Sequence, residues 1–175
     1  GFGGTGYGRD GQPIVIYTYS LDDDENATIT SYKGNATSLI IPSKLDRYTV
    51  VAIGNEAFKG NSLLRAVSFP DTVTAIGDLA FFGCNSLSSI TLNDGLTTIG
   101  TRAFASCTSL WAIDIPDTVT KISAGAFAQC SALHYVKLSS TLEQMDAHAF
   151  FDCDSLTSIT IPKTLAKSGT AYIPE

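Results

Sequence analysis

The stretch Leu110-Trp-Ala-Ile-Asp-Ile-Pro-Asp-Thr-Val-Thr-Lys-Ile-Ser-Ala-Gly-Ala-Phe-Ala-Gln-Cys-Ser-Ala132 decides the fold, because its apolar positions recur 23 residues before and after. Phe58, Phe81, Phe104, Phe127 and Phe150 follow one another at that spacing, each preceded by alanine. Leu64, Leu87, Leu110, Leu133 and Leu156 form a second column, and Val67, Ile90, Ile113, Val136 and Ile159 a third. Phe69, Leu92, Ile115, Leu138 and Ile161 make a fourth; Val73, Leu96, Val119, Leu142 and Leu165 a fifth; Ile53, Ile76, Ile99, Ile122 and Met145 a sixth. Cys84, Cys107, Cys130 and Cys153 keep the same frame. So many columns in register mean that the chain is a coil of like units.

Within one unit, Ile113-x-Ile115 has the period-2 alternation of a short strand with one buried face. Pro116 ends it, as Pro70 and Pro162 do in their units, because proline cannot donate to a ladder. Val119 and Ile122 turn the chain back across the interior. Ala126-Phe127 then begins a compact turn or a short helix, the small residue allowing close approach and the ring filling the space between layers. One unit cannot bury its apolar face alone, but stacked neighbours cover one another. Parallel strands ~4.8 Å apart would make a continuous sheet, with like residues in ladders.

The ends depart from the pattern. Leu39-x-Ile41-Pro42 matches Val67-x-Phe69-Pro70, but at a separation of 28, so five extra residues fall around Asp46-Arg47-Tyr48. Upstream, Ile14 to Tyr19 and Ala27 to Thr30 read as a hairpin across the acidic run Asp22-Asp23-Asp24-Glu25. At the far end Tyr172 and Ile173 fall where Ala-Phe is due and Ser168 where the isoleucine is due. The expected division is a Gly-rich leader over residues 1–12, an N-terminal cap hairpin over 13–34, a solenoid over 35–165, and an irregular cap or cut-short repeat over 166–175. No leader peptide is read, and Gly1 reads as an added residue, which leaves room for a leader already removed.

The residues resemble the BspA-like leucine-rich repeats, a family of bacterial surface proteins also found in some parasitic protists. The shared frame is L-x-x-I-x-I-P-x-x-V-x-x-I-G-x-x-A-F-x-x-C. Leu87 to Cys107 match it with Asn93 in place of proline, and Leu110 to Cys130 match it with Ser123 in place of glycine. Asn35 to Pro42 leading into Tyr48 to Gly54 is similar to the family's first repeat, and the likeness runs from about Thr28 to Pro162. It implies a β-rich leucine-rich-repeat solenoid of about five units on a parallel sheet, with short helical or 3-10 turns. It also implies secretion or surface display and binding of host or matrix proteins, with no enzymatic activity and no fixed set of functional residues.

Composition narrows the function classes. The chain has 175 residues, 44% hydrophobic and 16% charged, enough for a packed core. With 11 Lys and Arg against 17 Asp and Glu the net charge is −6, which argues against a nucleic-acid partner. No stretch approaches the ~20 apolar residues of a membrane span. The acidic run reads as a solvated turn, a calcium site being the lesser alternative. The four cysteines sit one per unit, spread along the axis rather than converging as zinc ligands do. Buried thiols are the leading expectation, with disulfides and metal as alternatives; Asn61 holds the column in the first unit. His134 and His148 have no nucleophile at a useful spacing, so neither a catalytic residue nor a cofactor is expected.

Candidate binding residues come from strand positions that face outward. One column holds Arg65, Ser88, Trp111, His134 and Thr157; the next holds Ala66, Ser89, Ala112, Tyr135 and Ser158; a third holds Ser68, Thr91, Asp114, Lys137 and Thr160. Most are small or polar. Trp111 breaks the rule, with His134 and Tyr135 one unit on and Asp114 and Lys137 beside them, and Arg65 heads the first column. An exposed aromatic among polar groups has the composition of an interface hot spot; the plainer alternative is that Trp111 only covers a neighbouring rung. Three readings follow: a protein-binding or adhesion module, a structural spacer or assembly module, and a carbohydrate-binding module.

Overall fold

The computed structural model describes residues 15–146 and 148–167. The strands, in chain order, are β1 (Val15–Leu21), β2 (Ala27–Gly34), β3 (Ser38–Ile40), β4 (Lys44–Leu45), β5 (Tyr48–Ile53), β6 (Ala66–Ser68) and β7 (Ala75–Ile76). They continue as β8 (Ser89–Thr91), β9 (Thr98–Ile99), β10 (Ala112–Asp114), β11 (Lys121–Ile122), β12 (Tyr135–Lys137) and β13 (Gln144–Met145). A helix of one turn, α1 (Lys163–Lys167), ends the described part. Each 23-residue unit closes one turn of a β-solenoid, and the aligned apolar columns fill a single interior.

The unbroken sheet is not the one carrying the Ile-x-Ile strands. It runs β1-β2-β5-β7-β9-β11-β13, with β4 against β5, through the two-residue strands that precede Gly77, Gly100, Ser123 and Asp146. Ile29, Ile53, Ile76, Ile99, Ile122 and Met145 lie side by side along it. The Ile-x-Ile strands form two shorter parallel sheets, β3-β6-β8 and β10-β12. Close stacking explains the glycines before the turns: a Cβ added at Gly100 would lie 2.6 Å from the Gly77 carbonyl carbon and 2.7 Å from the Asp78 nitrogen.

The Ala-Phe steps are turns, not helices, and their backbone alternates between two partners. Glu56, Phe58 and Gly60 N–H groups donate forward to the carbonyls of Asp78, Ala80 and Phe82 at 2.9, 2.7 and 2.7 Å. Ala57, Lys59 and Asn61 instead donate backward to Gly54, Glu56 and Phe58, closing tight turns. The alternation needs two left-handed residues four apart, Glu56 (φ 61°) and Gly60 (φ 74°). The pair recurs as Leu79 and Gly83, Arg102 and Ser106, Gly125 and Gln129, His148 and Asp152. Most are not glycine, and each such residue gives up roughly 1–2 kcal/mol of backbone preference. At Glu56, Leu79, Arg102, Ser106 and Gln129 a hydrogen bond to the next unit offsets it.

The phenylalanines stack as the spacing predicts. Phe58, Phe81, Phe104, Phe127 and Phe150 follow one another with ring centroids 4.7, 5.2, 5.3 and 5.4 Å apart and planes within 10°. The hairpin extends the stack: Tyr32 lies 5.2 Å from Phe58 and Tyr17 lies 5.6 Å from Tyr32. Tyr32 N–H also donates to the Ala57 carbonyl, as Phe58 does to Ala80, so β2 is built as a rung of the solenoid. The acidic run is the hairpin's turn, where the Asp22 carboxylate accepts the N–H groups of Asp24 and Asn26. Leu165 in α1 is fully buried in the column of Leu142; Ser168, Tyr172 and Ile173 lie outside the described residues.

Each cysteine is a buried thiol whose Sγ donates to the phenylalanine carbonyl of the preceding unit. Cys84, Cys107, Cys130 and Cys153 reach Phe58, Phe81, Phe104 and Phe127 at 3.2, 3.4, 3.2 and 3.1 Å. Asn61, in the same column, instead turns its carboxamide oxygen to the N–H groups of Leu63 and Leu64. Among the described residues no three His, Cys, Asp or Glu side chains come together as metal ligands would.

Two measurements test this packing. Phe127 is fully buried between two rings, and Phe127→Ala should cost roughly 3–5 kcal/mol in urea unfolding, from lost transfer energy and the cavity left behind. A loss under about 1 kcal/mol would contradict a continuous stack. Burial also pushes the Cys84 thiol up to about 12 and raises Cys107. A thiol raised on folding stabilises the fold fully below its unfolded value of about 8.5, and this contribution fades as pH climbs to the folded value. Cys84 and Cys107 of the native protein should therefore resist a thiol reagent at pH 8 and label on unfolding, and the protein should lose urea stability between about pH 9 and 12. Cys84→Ala should reduce that decline.

Candidate functional site

The outward columns lie where the alternation puts them. Ile113 and Val136 face the interior of β10 and β12, while Asp114, Tyr135 and Lys137 are exposed. Trp111 and His134 stand just ahead of the two strands, both in the open. The rings of Trp111 and His134 stack with centroids 5.3 Å apart and planes at 24°. Trp111 thus covers the neighbouring rung and still leaves 57% of its surface in solvent, with Tyr135 at 51%. The His134 ring nitrogen Nδ1 holds the Ala132 carbonyl at 2.6 Å, which fixes the imidazole under the indole.

Asp114 and Lys137 are register partners across β10 and β12, yet no ion pair within 4 Å joins them, the Lys59–Glu56 pair at 3.1 Å being the one among the described residues. Instead Lys137 helps hold down the Asp117 carboxyl. That group lies below the usual carboxylate range first because it accepts hydrogen bonds from Ser140, with the Lys137 charge a lesser cause. Asp94, Asp114, Asp117 and Lys137 line a shallow hollow of about 240 Å³. Arg65 is exposed, but it heads its column two units earlier, with the Ser88 rung between it and Trp111. The structure therefore gathers five of the six candidates on one pair of strands and leaves Arg65 apart.

That pair of strands is isolated, a feature the spacing did not announce. β10 pairs with β12, but β8 does not pair with β10, and among the described residues no strand follows beside β12. The Phe69 and Ile115 N–H groups donate to Thr91 and Lys137 at 3.3 and 2.9 Å, while Leu92 makes no equivalent bond to Asp114. A second hollow, of about 410 Å³, opens at this break and is lined by Ile90, Leu92, Asp114 and Tyr135 among others.

Both breaks follow a unit that lacks the strand-ending proline. At Asn93 the carboxamide Nδ2 donates to the Val73 carbonyl at 2.8 Å, and at Ser139 the hydroxyl donates to the Val119 carbonyl at 2.6 Å. Each bond ties the strand exit to the preceding unit and draws it away from the following one. The Asn93 Oδ1 is buried without a partner, the mark of a side chain held for its other end. Asn93 was readable as a departure from the frame; Ser139, Asp94 and Asp117 were not singled out, and while the missing proline could have flagged Ser139 and Asp94, nothing in the frame marks Asp117, which follows Pro116.

Comparison with known proteins agrees with this architecture. A model of the BspA type leucine-rich repeat region matches residues 51–172 in six copies, one more than the five units of the Ala-Phe register. No curated protein matches the chain. A T. pallidum leucine-rich repeat protein, TpLRR, is 36% identical with a TM-score of 0.81, over 83% of this chain and 69% of that one. A leucine-rich repeat protein from Bacteroides capillosus is 35% identical with a TM-score of 0.63, over 70% of this chain and 96% of that one. A leucine-rich cell surface protein from Faecalibacterium prausnitzii is 28% identical with a TM-score of 0.59; the match covers 85% of this chain but 55% of its own. Among the described residues no helix is long and apolar enough to cross a membrane. With the family model matching well over half its length, the chain belongs to the BspA-type leucine-rich repeat family.

Proposed function

We propose that the protein is a non-catalytic, surface-displayed or secreted module that binds another protein, with the isolated β10–β12 pair as its contact patch. The observation that carries this reading is Trp111. It is a large aromatic, more than half exposed, on a face that is mostly small and polar and otherwise exposes only Tyr135 and, three units earlier, Ile40 among its large apolar side chains in the described residues. A spacer has no use for such a residue. Hot spots are enriched in tryptophan, tyrosine and arginine and sit among polar neighbours that exclude water. Here Tyr135 flanks the indole on the next strand, and Asp114 and Lys137 supply the polar rim. The imidazole of His134 beneath Trp111 holds the ring ready, which lowers the entropic cost of binding. Surface display is supported by the cell surface description of the Faecalibacterium prausnitzii protein, and a protein partner by what repeats of this kind generally do.

The test is a binding screen of immobilised host and matrix proteins beside a glycan array. A protein partner should emerge, and Trp111→Ala should weaken it about thirtyfold or more, matching a hot spot of ~2 kcal/mol, with an unchanged melting temperature. Arg65→Ala, on the distant rung, should change the affinity less than threefold. Equal affinity of wild type and Trp111→Ala would refute the patch. Hits confined to the glycan array would move the function to carbohydrate binding.

A further inference from the structure

A further hollow lies in the turns, formed by a column that the strand-face reading does not use. The residue after each Ala-Phe step is Lys59, Phe82, Ala105, Ala128 and Phe151 in successive units. Two alanines between two phenylalanines leave a trough walled at both ends by rings. Its volume is about 390 Å³, within the range of small-ligand sites. With rungs ~4.8 Å apart the rings stand roughly 14 Å from each other, leaving about 11 Å once ring thickness is subtracted. Three extended residues span about that length.

The trough is apolar on its floor and cationic on its rim. Arg102 lines it and makes no ion pair within 4 Å among the described residues. Gly125 is what admits it: a Cβ there would stand 3.1 Å from the Arg102 Cγ, so the stem lies over the bare backbone. The Gln129 carboxamide oxygen is taken by the Ser106 hydroxyl at 3.0 Å, which leaves its NH2 free to donate. His148 packs edge-on against Phe151 at 5.2 Å and completes the rim. No carboxylate lines the trough, although the chain carries 17 acids against 11 bases. Asp78, in the rung of Phe82, turns its carboxylate to the Thr101 N–H instead.

We propose that this trough binds a short acidic peptide segment of a partner protein, one aromatic or aliphatic side chain lying between Phe82 and Phe151 and an adjacent carboxylate meeting Arg102. The apolar floor rewards burial of the side chain, and the unpaired guanidinium offers two parallel donors to the carboxylate. The site is distinct from Trp111 and stands whether or not that patch binds anything.

An amide-resolved NMR titration of the full chain with acetyl-Glu-Phe-Glu-amide tests it, with acetyl-Gln-Phe-Gln-amide and D-glucuronate as comparisons. Saturating shifts should centre on Ala105, Gly125 and Ala128, with affinity at least fivefold weaker for the glutamine peptide. Arg102→Gln should abolish that preference, and Ala128→Leu, which fills the floor, should weaken both peptides while the spectrum elsewhere stays native. Added salt should weaken the acidic peptide alone. Absence of saturating shifts at those residues, or equal affinity for the two peptides, would overturn the proposal. Saturation by glucuronate without the acidic peptide would overturn it as well, in favour of a sugar acid.

Discussion

Every other feature depends on one constraint: the strands of the main sheet and every second N–H of each turn must find their partners in the neighbouring unit. A short strand of two or three residues would not survive alone, since its few hydrogen bonds cannot offset the entropy of ordering it. Here β6, β7, β9 and β11 are held on both sides by neighbouring strands, and the turns join in by sending every second N–H forward. The side chains inherit the same spacing. Rings stack, thiols reach the preceding carbonyl, and glycines let backbones approach where a Cβ would collide. Insertion or loss of a single residue inside a unit would displace all of these ladders at once.

The same constraint explains where the structure can afford to be irregular. The main sheet and the turn ladder run without interruption, so the Ile-x-Ile strands need not carry continuity as well. They break after Asn93 and after Ser139, and the unit between the breaks carries Trp111. A polar side chain in place of proline thus does two things. It satisfies a carbonyl of the preceding unit, and it opens strand edges beside the candidate patch.

Much of this was legible in the residues, and for a physical reason. Burial in a solenoid repeats with the chain, so subtraction alone finds the phenylalanine stack, the leucine and isoleucine columns and the outward face of β10 and β12. Three things were hidden. The longer sheet passes through two-residue strands such as Lys121–Ile122, too short for any alternation to show. The turns use left-handed residues as different as Glu56, Leu79, Arg102 and His148, so composition does not mark them, and a short helix was an equal expectation. Tyr32 continues the phenylalanine stack from outside the 23-residue frame, 26 residues before Phe58, so subtraction does not reach it.

The candidate patch was legible as composition and not as geometry. Trp111, His134, Tyr135, Asp114 and Lys137 are adjacent by column arithmetic, which fixes which rung each occupies. It says nothing of whether neighbouring rungs are bonded; Arg65 shares their column, but the Ser88 rung lies between it and Trp111. The trough beyond Phe82 shows the complementary case. Its signal, large-small-small-large down one column, is visible in the sequence to anyone who reads across units instead of along them. Repeats force sameness inside the coil, where packing against identical neighbours penalises change. Outside it they tolerate difference, and both proposed contact sites fall where a departure is confined to a few adjacent units of an outward column.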